Sequence, residues 1–90
     1  MQWLYPRHPT RILVPIDLDG KPESTVFEIA HRHPETTVFW YLDDRFLGTT
    51  THFHQKALRP SLGEHTLSLV DADGVKIKQQ ITIVPRRGER

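Results

Sequence analysis

Short runs rich in Val, Ile, Thr and aromatic residues recur about every ten residues along this chain, separated by turn-forming clusters, with almost no helical periodicity. That spacing suits strands joined by tight turns and leaves no room for helices of ordinary length, so the chain reads as all-β. The clearest stretch is 75–84, where Val75, Ile77, Ile81 and Ile83 alternate with Lys76, Lys78, Gln80 and Thr82. Successive side chains of a strand point to opposite faces, so such alternation marks one dry face and one wet face.

The remaining runs extend the pattern. Residues 10–15 (TRILVP) read as an edge strand stopped by proline, which has no N–H to give a ladder. Residues 25–31 set Phe27, Ile29 and His31 on a core face against Val26, Glu28 and Ala30. Residues 37–42 turn Val38, Trp40 and Leu42 inward and Phe39 and Tyr41 outward. Asp43-Asp44 then makes a hairpin turn into 45–50, since Asp tolerates positive φ better than most residues. Residues 52–58 read as another short strand, 59–63 as a corner, and 64–71 as a strand with His65, Leu67 and Leu69 inward, ahead of an Asp71-Ala72-Asp73-Gly74 turn.

Six or seven short strands at this spacing predict an immunoglobulin-like sandwich of two antiparallel sheets. Phe27, Ile29, Trp40, His65 and Leu67 are its expected structural core. Ile29, Trp40 and Leu67 occupy the places of the first core anchor, the buried tryptophan and the second anchor, with aliphatic residues where antibody domains use a disulfide. His65, two residues before Leu67 and after a Gly corner, stands where such domains often carry a corner tyrosine, so its ring is expected to tie that corner to nearby backbone. The sandwich spans 10–84 in this reading, after a linker or N-terminal extension at 1–9 and before a disordered tail at 85–90. Trp3, between Met1 and Pro6, is either part of the linker or a clamp on the sandwich. A chain of this size buries only roughly 60–65% of its unfolded surface, so a single core is all it supports.

Residues 1–84 carry nine Lys and Arg against ten Asp and Glu, the surplus of basic residues lying at Arg86, Arg87 and Arg90. Nucleic-acid binding, which needs a basic stripe or patch, is not expected. The absence of cysteine removes disulfides and thiolate zinc sites. No apolar run approaches the ~18 residues of a membrane span, and Met1 is followed by Gln-Trp-Leu-Tyr-Pro rather than a signal-like segment. No membrane contact is expected of this segment, which is either cytoplasmic or a piece whose targeting element lay upstream.

Candidate chemistry is sparse. His52 and His54, two apart on an expected strand, would project from one face as metal ligands do, but no third ligand is set by spacing, and structural hydrogen-bonding histidines are the expectation. An acyl-serine enzyme of the Ser-x-x-Lys type needs a lysine three residues after its nucleophile, whereas Ser24, Ser61 and Ser68 are followed there by Phe27, Glu64 and Asp71. Asp43 and Asp44 are neighbours in a turn, not carboxylates facing each other across a substrate. The expectation is no catalytic, cofactor or metal site. Phe39 and Tyr41 are the candidate interaction surface: if Trp40 enters the core they point outward, to stack on a sugar or a protein, or to be covered by a loop, by Trp3-Leu4-Tyr5 or by a parent protein.

Several ordered segments resemble one family: 12–20 (ILVPIDLDG), 26–31 (VFEIAH), 40–48 (WYLDDRFLG), His54-Gln55, and 63–71 (GEHTLSLVD) with Gly74. Together they resemble the C-terminal domain of the penicillin-binding protein 1C family of bacterial peptidoglycan synthases. Asp44 departs from it, since the family commonly shows Gly there. The resemblance implies a parent anchored in the inner membrane and facing the periplasm, with glycosyltransferase and transpeptidase domains whose active-site residues have no counterparts here. It implies a non-catalytic accessory domain in cell-wall synthesis, contacting the transpeptidase domain or a periplasmic protein, or alternatively a peptidoglycan-binding module using exposed aromatics.

Overall fold

A computed structural model describes residues 1–6, 10–16, 18 and 20–86, and among these it is all-β. Eight strands form: β1 (Gln2–Tyr5), β2 (Thr10–Pro15), β3 (Thr25–Ala30), β4 (Val38–Leu42), β5 (Arg45–Thr50), β6 (Gln55–Leu58), β7 (Gly63–Asp71) and β8 (Lys76–Arg86). They build a three-stranded sheet, β1-β3-β6, and a five-stranded sheet, β2-β8-β7-β4-β5. Apolar side chains from the inner faces of both sheets meet between them, as in an immunoglobulin-like sandwich.

The core consists of Ile12, Val14, Phe27, Ile29, Val38, Trp40, Leu58, Leu67, Leu69, Ile81 and Ile83. The phases read from alternation put Phe27, Ile29, Val38, Trp40, Leu67, Leu69, Ile81 and Ile83 here, because a slip by one residue would turn the apolar set into water. His65, expected in the core, is only partly buried at the start of β7, because its ring bonds the corner and Asp43. Phe27, Trp40 and Leu67 are fully buried and Ile29 nearly so. In β8 the inward positions are Ile77, Gln79, Ile81 and Ile83. Val75 instead lies in the turn before β8 and is half exposed, because Asp71 N–H bonds to its carbonyl and closes the hairpin there.

The strand count and pairing differ from expectation at the N-terminus. Within the segment read as a linker or N-terminal extension, Gln2, Trp3 and Tyr5 pair with Ala30, Ile29 and Glu28, so β1 lies along one edge of β3. Trp3 and Met1 pack against the core and Pro6 is fully buried, which gives this segment apolar area to bury. The chain then crosses to the other sheet, where β2 runs parallel to β8 from Thr10↔Ile81 to Pro15↔Arg86. One ladder of the sandwich is therefore parallel, and Pro15 sits at the end of an edge strand. Pro85 and Arg86, assigned to a disordered tail from sequence, extend β8 instead, because β2 offers them backbone partners. Residues 87–90 of that tail lie outside the described residues.

The β4–β5 hairpin explains why Asp44 is unusual. Asp43 and Asp44 have φ of 52° and 69°, the double left-handed pair of a type I′ turn, whose second position favours Gly. Asp43 is held there by Thr66, as described below, whereas Asp44 has no such anchor among the described residues. A bulge follows: Trp40 lies opposite Gly48 and Tyr41 opposite Phe46, leaving Leu47 as the extra residue. Gly48 has φ +134° and a Cβ there would stand 3.3 Å from Lys56 Nζ.

Three stability outcomes follow from this packing and this turn. Trp40→Ala should cost about 3–5 kcal/mol by urea unfolding, and a loss below about 1 kcal/mol would contradict its full burial. Asp44→Gly should stabilise by about 0.5–1 kcal/mol by relieving left-handed strain. Asp43→Gly should destabilise, since its carboxylate is in use; an unchanged denaturation midpoint in both variants would count against this account of the turn.

Candidate functional site

Strand β7 is fastened at each end by a histidine–aspartate pair. At its start, His65 Nε2 donates to the Ser61 carbonyl at 2.7 Å, while Nδ1 makes a short contact with Asp43 Oδ2. Both neighbours are acceptors, so both contacts are satisfied when both ring nitrogens carry hydrogen. Asp43 Oδ1 accepts from Thr66 N–H at 2.8 Å, and Asp43 N–H donates to the Thr66 carbonyl at 2.9 Å. The corner at 59–63 and the β4–β5 turn are thus tied to the same strand. Partial burial opposes ionisation of Asp43, but hydrogen bonds from His65 and Thr66, with the charge of His65, outweigh it and hold the carboxyl below its usual range.

At the far end of β7, Asp71 Oδ1 accepts from Asp73 N–H and Val75 N–H, both at 2.9 Å, and shapes the turn into β8. Asp71 Oδ2 accepts from His31 Nε2 at 3.0 Å, and His31 Nδ1 accepts from His33 N–H at 2.9 Å. The His31 bond, followed by the two backbone bonds, lowers the Asp71 pKa against a smaller burial penalty.

His52 and His54 do not share a strand face. The strand begins only at Gln55; His52 sits in a turn at φ 68°, where its N–H bonds to the Pro34 carbonyl. His54 is buried and hydrogen-bonded through both nitrogens: Nε2 donates to Pro34 O at 2.7 Å, and Nδ1 lies 2.8 Å from Thr50 Oγ1. Thr50 Oγ1 in turn accepts from Trp40 Nε1 at 2.8 Å. Among the described residues no group of three or more His, Cys, Asp or Glu is placed to hold a metal ion.

Ser61, His65 and Asp43 line up in the order of a hydrolase triad, a grouping that spacing alone does not expose. Ser61 Oγ is 3.4 Å from His65 Nε2, but that nitrogen donates to the Ser61 carbonyl at 2.7 Å, so its lone pair is not free to take a proton. The geometry is that of a corner clamp.

The outer face of the five-stranded sheet is different in character. Phe39 and Tyr41 project from β4 as half-buried rings, and the N-terminal segment does not cover them, since β1 belongs to the other sheet. Their cover is Phe46 of β5, whose ring centroid lies 5.5 Å from Tyr41 and 6.4 Å from Phe39, at interplanar angles of 55° and 39°. Phe46 itself is 53% exposed. A signal for it existed: a two-residue loop at Asp43-Asp44 puts Leu42 opposite Arg45 and hence Tyr41 opposite Phe46. Beside the rings an open hollow of about 270 Å³ is lined by Tyr41, Asp44, Ser68, Val70 and Lys76.

This architecture can be set against known proteins. The family model of the penicillin-binding protein C-terminus family matches residues 1–83. The chain belongs to that family. The matched stretch includes β1. Among solved structures, the fibronectin(III)-like modules of Clostridium thermocellum CbhA are similar at TM-score 0.69 and 12% identity, over 96% of this chain and 98% of that one. At that identity the likeness concerns the fold of this C-terminus family domain, an immunoglobulin-like sandwich. No curated protein matches the chain.

The two lowered carboxyls give a pH dependence with a definite sign. A carboxyl whose folded pKa lies below its unfolded value adds stability above the unfolded value and loses it as pH falls through the folded one. Urea midpoints should therefore fall as pH drops below about 4, the ordinary Asp range. The fall should be shallower in Asp71→Asn; an equally steep profile in that variant would show that His31–Asp71 contributes nothing to it.

Proposed function

We propose that this domain is a non-catalytic accessory module of a bifunctional penicillin-binding protein, a synthase that polymerises and cross-links peptidoglycan on the periplasmic side of the inner membrane. Its role is to make protein contacts, with the transpeptidase domain of the parent or with a periplasmic partner, through the outer face of the five-stranded sheet. The observation that carries this reading is the grouping of Phe39, Tyr41 and Phe46 on a sheet face that solvent would otherwise favour as polar. Family membership supports the setting. The engaged Nε2 of His65 supports the non-catalytic part.

The alternative, a glycan-binding module, would use the same rings. Sugar stacking calls for an aromatic face laid flat against the ring, whereas the tilts of 39° and 55° among these three make a ridge rather than a platform. A ridge inserts more readily between the side chains of a protein.

Phe46→Ser leaves the core untouched and separates the two readings. Calorimetry of the domain against the transpeptidase domain of its synthase should show binding weakened about tenfold or more, as when an aromatic anchor is lost. Sedimentation with peptidoglycan sacculi should be the same for both forms. Sacculus binding that disappears in the variant would establish the glycan module instead.

A further inference from the structure

Lys76 and Lys78 stand on the outer face of β8, two residues apart and exposed. They lie opposite Val70 and Ser68 of β7, which are in turn opposite Phe39 and Tyr41 of β4. Side chains two apart on a strand project from one face about 6–7 Å from each other. Neither lysine makes an ion pair with the described residues. Lys76 and Val70 also line the hollow that reaches Tyr41. Across two strand spacings, about 10 Å, this surface passes from paired positive charge to a hollow of mixed lining, in which Val70 and Tyr41 supply the apolar part, to the aromatic rings of β4.

We propose that this surface receives an acidic peptide segment of a partner protein, with carboxylates on Lys76 and Lys78 and an adjoining apolar side chain in the hollow beside Tyr41 and Phe46. The inference rests on the protein-contact reading given above and specifies its partner. Charge complementarity selects the occupant: two ammonium groups with no ion-pair partner among the described residues, beside Val70 and Tyr41, repel a basic segment and gain nothing from a neutral one. The Asp44 carboxylate bounds the same hollow, so the negative charge of the ligand belongs at the lysine side and its apolar part towards the turn. Such contacts are partly exposed, so the complex is salt-sensitive and of modest affinity.

The test is an NMR titration of the whole chain with a capped pentapeptide of two glutamates, glycine, leucine and phenylalanine, and with its diglutamine counterpart. The expected result is saturable shifts at Tyr41, Phe46, Val70, Lys76 and Lys78, with the diglutamine peptide binding about fivefold or more weakly, and Lys76→Gln/Lys78→Gln removing the difference. Equal binding of both peptides at this face would overturn the charge assignment while leaving the face a protein-docking surface. Shifts elsewhere, or none, would overturn both. Saturable shifts at the face with a chitin oligosaccharide and none with the peptides would replace the protein partner by a glycan.

Discussion

The indole of Trp40 holds the two halves of this domain together. It is fully buried in β4, and its Nε1–H enters a chain of hydrogen bonds through Thr50 and His54 to the Pro34 carbonyl. Thr50 ends β5 in the five-stranded sheet, whereas His54 immediately precedes β6 in the three-stranded one. The His54 carbonyl also accepts from Ile29 N–H in β3. A buried polar chain is stabilising when every member is satisfied and costly when one is missing, so this one specifies how the crossing from β5 to β6 must run.

With the sheets fixed in this way, β7 becomes the frame for both ends of the molecule. His65 near its start and Asp71 at its end each meet a partner of the opposite kind from another element, Asp43 in the β4–β5 turn and His31 just beyond β3. These clamps commit two histidines and two aspartates to structure. On the outer face of the five-stranded sheet, β4 and β5 present rings and β8 presents lysines.

The aromatic face is a by-product of the same constraint. Once Trp40 faces inward, strand pleat sends Phe39 and Tyr41 outward. The tight turn at Asp43-Asp44 then brings Phe46 over Tyr41.

Alternation with period 2 and the turn residues were enough to read the all-β class, the inward set Phe27, Ile29, Trp40, Leu67 and Leu69, and the outward turn of Phe39 and Tyr41, because burial of one strand face is a local, repeating demand. The place of His65 after a Gly corner was legible for the same reason. Tertiary structure alone decided that Gln2–Tyr5 would pair with β3, that β2 would lie parallel to β8, and that His54 would be buried beneath Thr50 while His52 stayed in a turn. It also joined His31 to Asp71 across forty residues. Those outcomes depend on which backbone edge is free and which polar groups meet once the sheets close, and no periodicity along a chain records a partner supplied by a distant strand.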